Sequence, residues 1–374
     1  MPLLTVNVGS SSVRLVGYDA RERAVVSEHL ELAAGDPQHS QSNPHSEQHP
    51  LRALTARADL QPLEAIAHRV VHGGEALTSP CRIDAAVEAQ IDALAELAPL
   101  HNPPALRWIR ACRDARPDVP QIAVFDTAFF AALPAAARSY ALPPELCRRH
   151  HVRRYGFHGL AHSYLWSRWQ QLRVPGRGGR VISLQLGSGC SIAAIHEGAA
   201  LDVSMGFSPL EGLVMGTRSG DLDPGLLLYL QRREGWSSEQ AEHYLNERCG
   251  LLGLSGVSAD IRQLESSSTT AAHDVLELFC YRARKYIGAY LAVLGGADAI
   301  LFGGGIGEHS ALVRAQILQG LQWAGIELDP ERNAQARGSE SRIGADHSRI
   351  DIHVVPVDES RILANEARAV LARG

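Results

Sequence analysis

The feature that most constrains the fold is internal repetition. Residues 4–16 read LTVNVGSSSVRLV and residues 181–195 read VISLQLGSGCSIAAI, in register when Gly9 is placed on Gly187, an offset of 178 residues. In both, alternating β-branched and apolar residues run into a turn of small residues and out into a second apolar stretch, the pattern of a β-hairpin with a Gly/Ser tip. Two such hairpins imply a duplicated architecture, with chance likeness between two glycine-containing hairpins as the competing explanation. A chain of 374 residues has room for two domains.

Around the hairpins, short apolar runs at 65–71, 121–125, 299–302 and 352–355 read as buried strands. Helical periodicity covers 86–98, 161–172, 272–294 and 312–323. The alternation predicts an α/β chain. Residues 35–50 (GDPQHSQSNPHSEQHP) are polar and aperiodic and read as an exposed loop or insert. Their histidines, His39, His45 and His49, have no spacing that would fix a metal.

Composition removes several function classes. With 45% apolar and 21% charged residues the chain is of ordinary globular type. A formal charge of −5 offers no basic field for nucleic acid or an anionic membrane. The first basic residue is Arg14 and no signal-peptide pattern precedes it, while the apolar stretch 286–307 is interrupted by Asp298 and several glycines. Six scattered cysteines, Cys81, Cys112, Cys147, Cys190, Cys249 and Cys280, include no C-x-x-C pair and read as buried free thiols of a reducing cytoplasm. Of 36 basic residues only Lys285 is lysine, and no glycine run precedes it, which excludes a Walker-type phosphate loop. H-E-x-x-H, G-x-S-x-G and protein-kinase signatures are also missing.

What remains points to oxyanions. The tips Gly9-Ser10-Ser11-Ser12 and Gly187-Ser188-Gly189 combine bare backbone with hydroxyls, although a simple tight turn has the same composition. A third glycine run, FGGGIGEHS at 302–310, follows an expected strand and opens an expected helix capped by His309 or Ser310, a favourable place for phosphate. It is not a Rossmann fingerprint, because Glu308 stands where the third glycine belongs. Arg69, at the end of a buried strand, and Arg218, in a glycine-flanked loop, each need an anion, which a ligand or an internal carboxylate could supply. His101, His158 and Asp126 lie in polar clusters within apolar frames, where satisfied core groups are the plainer alternative.

VNVGSSS, HRVVHGGE, APLHNP, VFDTAF, YGFHG, SMGFSPLEGLVMGTRSGDLDP and GGGIGE occur in one order along nearly the whole chain. In this the sequence resembles the acetate and propionate kinases of the acetate and sugar kinase/Hsp70/actin superfamily. The resemblance implies two duplicated actin-like, ribonuclease-H-type α/β domains around a central cleft. The first would span residues 1–128 plus 362–374 on the acyl side, and the second, 129–361, would bind nucleotide and form a homodimer contact. It implies reversible transfer of the γ-phosphoryl group of ATP to acetate, directly and in line, giving ADP and acetyl phosphate with Mg²⁺, for which Mn²⁺ could substitute.

Residue by residue, the resemblance places Arg69 on the acetate carboxylate, Arg218 on the transferring phosphoryl group, His158 as donor to its oxygens with His101 nearby, and Asp126 as the catalytic acidic residue orienting Arg69 and the Mg²⁺ waters. Asn7 and Glu359 would hold the metal. Val71, Leu100, Phe157 and Pro209 would enclose the acetate methyl. ATP contacts would come from Ser10, Ser12, Arg14, Gln185, Leu186, Gly187, Ser188, Gly189, Asp260, Ile261, Arg262, Gly305, Ile306, Gly307, Glu308 and His309. The chain departs from the family pattern at Arg14, Gln185, Ser188, His309, Asp358 and Ser360, so the phosphate and adenine contacts follow less directly than the acyl site. Propionate or another phosphoryl donor is the alternative within the class, and a nucleotide-gated binding protein the alternative outside it.

Overall fold

In a computed structural model, residues 1–9, 12–31, 51–173 and 176–373 are described. Ser10, Ser11 and the 35–50 segment with its three histidines lie outside them. The chain divides into two compact units, Met1–Ala131 with Asp358–Gly374, and Ala132–Val357. The breaks fall a few residues from the boundaries expected at 128 and 362, so that Glu359 belongs to the first unit.

The first unit is built on six strands: β1 (Leu3–Val8), β2 (Ser12–Tyr18), β3 (Ala24–Glu31), β4 (Ala65–Val70), β5 (Cys81–Arg82) and β6 (Gln121–Phe125), in the order β3-β2-β1-β4-β6-β5. β1 pairs antiparallel with β2 and parallel with β4, which pairs parallel with β6. β1 and β6 are apolar and buried almost throughout because both sheet faces are covered. Leu4, Val6 and Ile66 share one core with Trp108 and Cys112 of the helix Asn102–Ala115. Strand alternation turns Leu3, Thr5, Asn7 and Arg69 to the opposite face. The C-terminal helix Glu359–Arg373 packs on β1, β4 and β6. The exposed edge strand β3 carries Glu28 and Glu31, charges that discourage further pairing.

The second unit repeats this plan. Its strands β7 (Arg180–Leu186), β8 (Cys190–His196), β9 (Ala199–Val203), β10 (Ala299–Gly303), β11 (Ser341–Arg342) and β12 (Asp351–Val354) run in the order β11-β12-β10-β7-β8-β9. Each pairing keeps the direction of its counterpart. The likeness of the two hairpins is therefore duplication of a whole α/β unit rather than chance. The helices Gly159–Leu172 and Thr270–Leu294 pack on this sheet.

Several details correct the sequence expectations. The periodicity at 86–98 and 312–323 yields shorter helices, Ala85–Ala93 and Ala311–Leu318. Asn102–Ala115 forms a further helix, outside the periodic segments named from sequence, with Pro103 and Pro104 in its first turn. At the first helical turn proline removes no needed donor. The glycine run is itself a short helix, Gly304–His309, and Ser310, not His309, caps the next one by accepting from Val313 N. All six cysteines are free, but Cys81, Cys147 and Cys249 are only partly buried. Among the described residues no helix is long and apolar enough to cross a membrane.

Candidate active site

In the first unit the site grows from the ends of the parallel strands, where an open α/β sheet leaves its ligand crevice. Arg69, one residue from the end of β4, directs Nε and Nη2 to Asp126 Oδ2 at 3.0 and 2.5 Å and Nη1 to Asn7 Oδ1 at 3.2 Å. Asn7 Nδ2 in turn donates to Glu359 Oε2 at 2.7 Å, and that oxygen lies 3.9 Å from Arg69 Nη1. Burial works against the Arg69 charge, but Asp126 and Glu359 outweigh it and hold the guanidinium protonated. A guanidinium fork with an amide and two carboxylates thus forms one polar cluster on one sheet face. Val71 is buried directly after β4, whereas Leu100 is exposed. His101 stands at the start of the helix Asn102–Ala115 without a side-chain cap bond. Asn102, fully buried, exchanges two 3.1 Å bonds with the backbone of His72 and so ties that helix start to the loop after β4. Arg14 is exposed on β2 opposite Asn7, and the Ser12 carbonyl accepts from Gly9 N at 2.8 Å to close the hairpin tip.

In the second unit the decisive group is Arg218. It is largely buried, yet its side chain donates only to the Pro209 carbonyl at 3.1 Å and weakly to Met215 Sδ, and among the described residues no carboxylate pairs with it. Burial therefore pulls its pKa below the usual arginine value, the mark of a charge short of a counter-ion. Its neighbour is the Gly189 tip. A Cβ there would stand 3.2 Å from His158 Nε2 and Cε1 and 3.9 Å from Arg218 Nη1, so glycine keeps open the spot on which a ring nitrogen and a guanidinium converge. His158 itself adopts a left-handed backbone (φ 59°, ψ 28°) ahead of the helix Gly159–Leu172, a strained conformation of the kind that collects at working sites. Cys190, beneath the tip, donates to the Gly187 carbonyl, and burial pushes its thiol up to about 12, so it stays neutral.

The loop bearing Pro209 is held from behind. Arg154 donates to Glu211 at 2.5 Å and to the carbonyls of Val203, Ser204 and Met205, while Tyr140 Oη donates to Glu211 and accepts from Phe207 N at 2.8 Å. Phe157 is fully buried.

A cavity of about 690 Å³ opens beyond β7 and β10, lined by Gly187, Ser188, Asp260, Ile261, Arg262, Gly305, Ile306 and His309, together with Ala259, Glu265 and Ser310. Its size is that of a nucleotide-scale ligand site. Asp260 caps the short helix Ile261–Glu265 and holds Arg262 through its carboxylate. Other expected ATP residues do not line this cavity. Gly189 belongs to the His158–Arg218 corner, Leu186 is buried in β7, and Gln185 turns its Oε1 toward Gly303. Gly307 packs on Phe302, and Glu308 Oε1 accepts from Val357 N at 3.1 Å. The sequence reading missed Arg314. Fully buried, it donates to Asn333 and to the carbonyls of Gly307, Glu308 and Ala336, bracing the end of the glycine-run helix. A buried arginine seven residues beyond a glycine run was a visible signal of it.

Residues 2–365 match the profile of the acetokinase family. The chain belongs to the acetokinase family. It is 47% identical over 321 residues to an acetate kinase of Chloroherpeton thalassium, covering 84% of this chain and 77% of that one. An acetate kinase structure from Porphyromonas gingivalis superposes with a TM-score of 0.88 at 35% identity, covering 99% of both chains. A propionate kinase structure from Francisella tularensis superposes at 0.89 with 33% identity over 98% of both.

Proposed function

We propose that the chain transfers the γ-phosphoryl group of ATP reversibly to acetate, in line and without a phosphorylated protein intermediate, forming acetyl phosphate and ADP. The observation that carries this reading is Arg218, a largely buried guanidinium that no carboxylate pairs with among the described residues, beside His158 Nε2 at the bare Gly189 backbone. Such a corner lacks an anion, and three equatorial phosphoryl oxygens would supply it. Arg69, set by Asp126, would bind the acetate carboxylate through its remaining N–H groups, lowering the repulsion between two anionic reactants. The 690 Å³ cavity would take the nucleoside portion of ATP.

Asn7, Asp126 and Glu359 present oxygen donors only, two of them carboxylates, which suits Mg²⁺, a cation that takes one or two carboxylates and completes its shell with water and phosphate. When bound, the ion would neutralise phosphate charge. Asn7 and Glu359 would hold it, and Asp126 would orient its waters while keeping Arg69 in place. Val71, Leu100, Phe157 and Pro209 would contact the methyl group. Such a pocket separates acetate from propionate by one methylene, about 1–3 kcal/mol, so propionate is the competing acceptor. We also propose a cytoplasmic homodimer formed through the second unit. The helix Pro224–Glu234 buries none of its residues, and Leu226, Leu228 and Tyr229 are exposed.

A hydroxamate assay with acetate, propionate and butyrate, each run with ATP, GTP and pyrophosphate, tests the reading. Acetyl hydroxamate with ATP and Mg²⁺ is the expected product. Absence of any acyl hydroxamate would leave a nucleotide-gated binding protein as the better account.

A further inference from the structure

Behind the Gly189 tip four side chains form one continuous hydrogen-bond chain. Ser183 Oγ on β7 lies 2.6 Å from His162 Nδ1, His162 Nε2 lies 2.8 Å from Ser191 Oγ on β8, and Ser191 Oγ lies 2.9 Å from His158 Nδ1. Ser183, His162 and Ser191 are fully buried, and His158 ends the chain with Nε2 at the Gly189 corner. Burial holds the His162 pKa down to about 3, so this ring is neutral, with one N–H and one lone pair.

A hydroxyl has one hydrogen, so the chain can be ordered in only two ways. In one, Ser183 donates to His162, His162 Nε2–H to Ser191, and Ser191 to His158 Nδ1, which leaves the His158 proton on Nε2. In the other every bond is reversed, and a neutral His158 offers a lone pair at Nε2. The reversed order makes the Ser183 hydroxyl an acceptor. Its own hydrogen would then be buried with nowhere to go, since among the described residues Ser183 Oγ has no second partner. The first order gives the hydrogens of both hydroxyls and of His162 an acceptor each.

We propose that Ser183, His162 and Ser191 are positioning residues that fix the proton of His158 on Nε2, so that the ring faces the site as a hydrogen-bond donor. The proposal rests on the reading of His158 as donor to the phosphoryl oxygens, and it extends that reading to three residues that touch no substrate. A lone pair at the same place would repel the anion instead of binding it.

The test uses the whole protein labelled with ¹⁵N-histidine, observed through two-bond ¹H–¹⁵N correlations, beside steady-state kinetics. The wild type should show His158 as the Nε2–H tautomer alone. Ser191→Ala should give a mixture of tautomers and a kcat lower by about ten- to a hundredfold, with KM for ATP and acetate little changed. That loss is up to the scale of one oriented donor. Ser191→Thr, which keeps the hydroxyl, should restore both. A wild-type His158 protonated on Nδ1 overturns the proposal without recourse to any variant, and so does Ser191→Ala with an unchanged tautomer. A tautomer mixture with undiminished turnover upholds the relay and removes His158 from the proposed mechanism.

Discussion

Replacing Arg218 by methionine should remove activity and leave stability intact, whereas the same change at Arg69 should damage both. The two arginines are both partly buried but neutralised differently. Arg218 has a carbonyl partner and, among the described residues, no carboxylate, and burial depresses its pKa. Methionine fills similar space, relieves the desolvated charge and gives up one hydrogen bond worth about 1 kcal/mol. The unfolding free energy of Arg218→Met should therefore lie within about 1 kcal/mol of the parent, or above it. Arg69 is tied by two N–H groups to Asp126, whose side chain is 1% exposed. Arg69→Met removes this ion pair from a buried carboxylate and should cost about 3–5 kcal/mol. Turnover should fall by about two or more orders of magnitude in both variants, about 3 kcal/mol of transition-state stabilisation or more, since each loses a donor to charge that must be held during transfer. Urea unfolding followed by circular dichroism reads the first quantity and acyl hydroxamate formation the second. Equal destabilisation by both substitutions would mean that Arg218 has an internal counter-ion after all. Near-normal turnover in Arg218→Met would remove it from the mechanism.

Acid should unfold the protein through its histidines. Burial lowers His68 and His72 to about 4 and His162 to about 3, below the ordinary histidine value of 6.5. Because the folded pKa is depressed, their contribution is complete above pH 6.5 and is lost as pH falls from there towards 4 and then 3, roughly 3–5 kcal/mol per ring at full protonation. Urea midpoints measured from pH 7 to 4 should decline across that interval, and a flat profile would refute the burial of neutral rings. Gly338→Ala should raise KM for ATP several-fold, because Gly338 has φ +70° and a Cβ there would stand 2.3 Å from His309 Cε1, displacing one wall of the cavity. An unchanged KM would show that His309 does not support the nucleotide. Glu359→Gln should raise the Mg²⁺ concentration needed for half-maximal turnover by tenfold or more, read from a metal titration, and an unshifted curve would remove Glu359 from the ion's site.

The duplicated sheets were legible because strand periodicity and a glycine tip are local properties. The match of Gly9 to Gly187 foretold two hairpins, and both are present, each heading a sheet of the same strand order. The cavity was partly legible for the same reason. Ser188, Asp260 and His309 stand beside turns or helix ends that composition marks, while Glu308 and Gln185, expected on the nucleotide from the same kind of local sequence, do not line the cavity: Glu308 Oε1 accepts from Val357 N and Gln185 turns its Oε1 toward Gly303. The helix at Asn102–Ala115 lay outside the periodic segments named from sequence, and the effect of its two prolines depends on their position within a turn.

Residue type by itself determined that this chain has arginines where anions must be met, histidines and glycines near them, and no lysine-based phosphate loop. Only the tertiary structure decided how those charges are neutralised. Asn7 meets Glu359 across 352 residues and Arg69 meets Asp126 across 57, while Arg218, alike in sequence, meets no carboxylate among the described residues. The hydrogen-bond chain from Ser183 to His158 likewise exists only once β7, β8 and the helix Gly159–Leu172 are packed together. The reason is physical: burial and pairing set the free energy of a charge, and both are properties of neighbours that the linear order does not name.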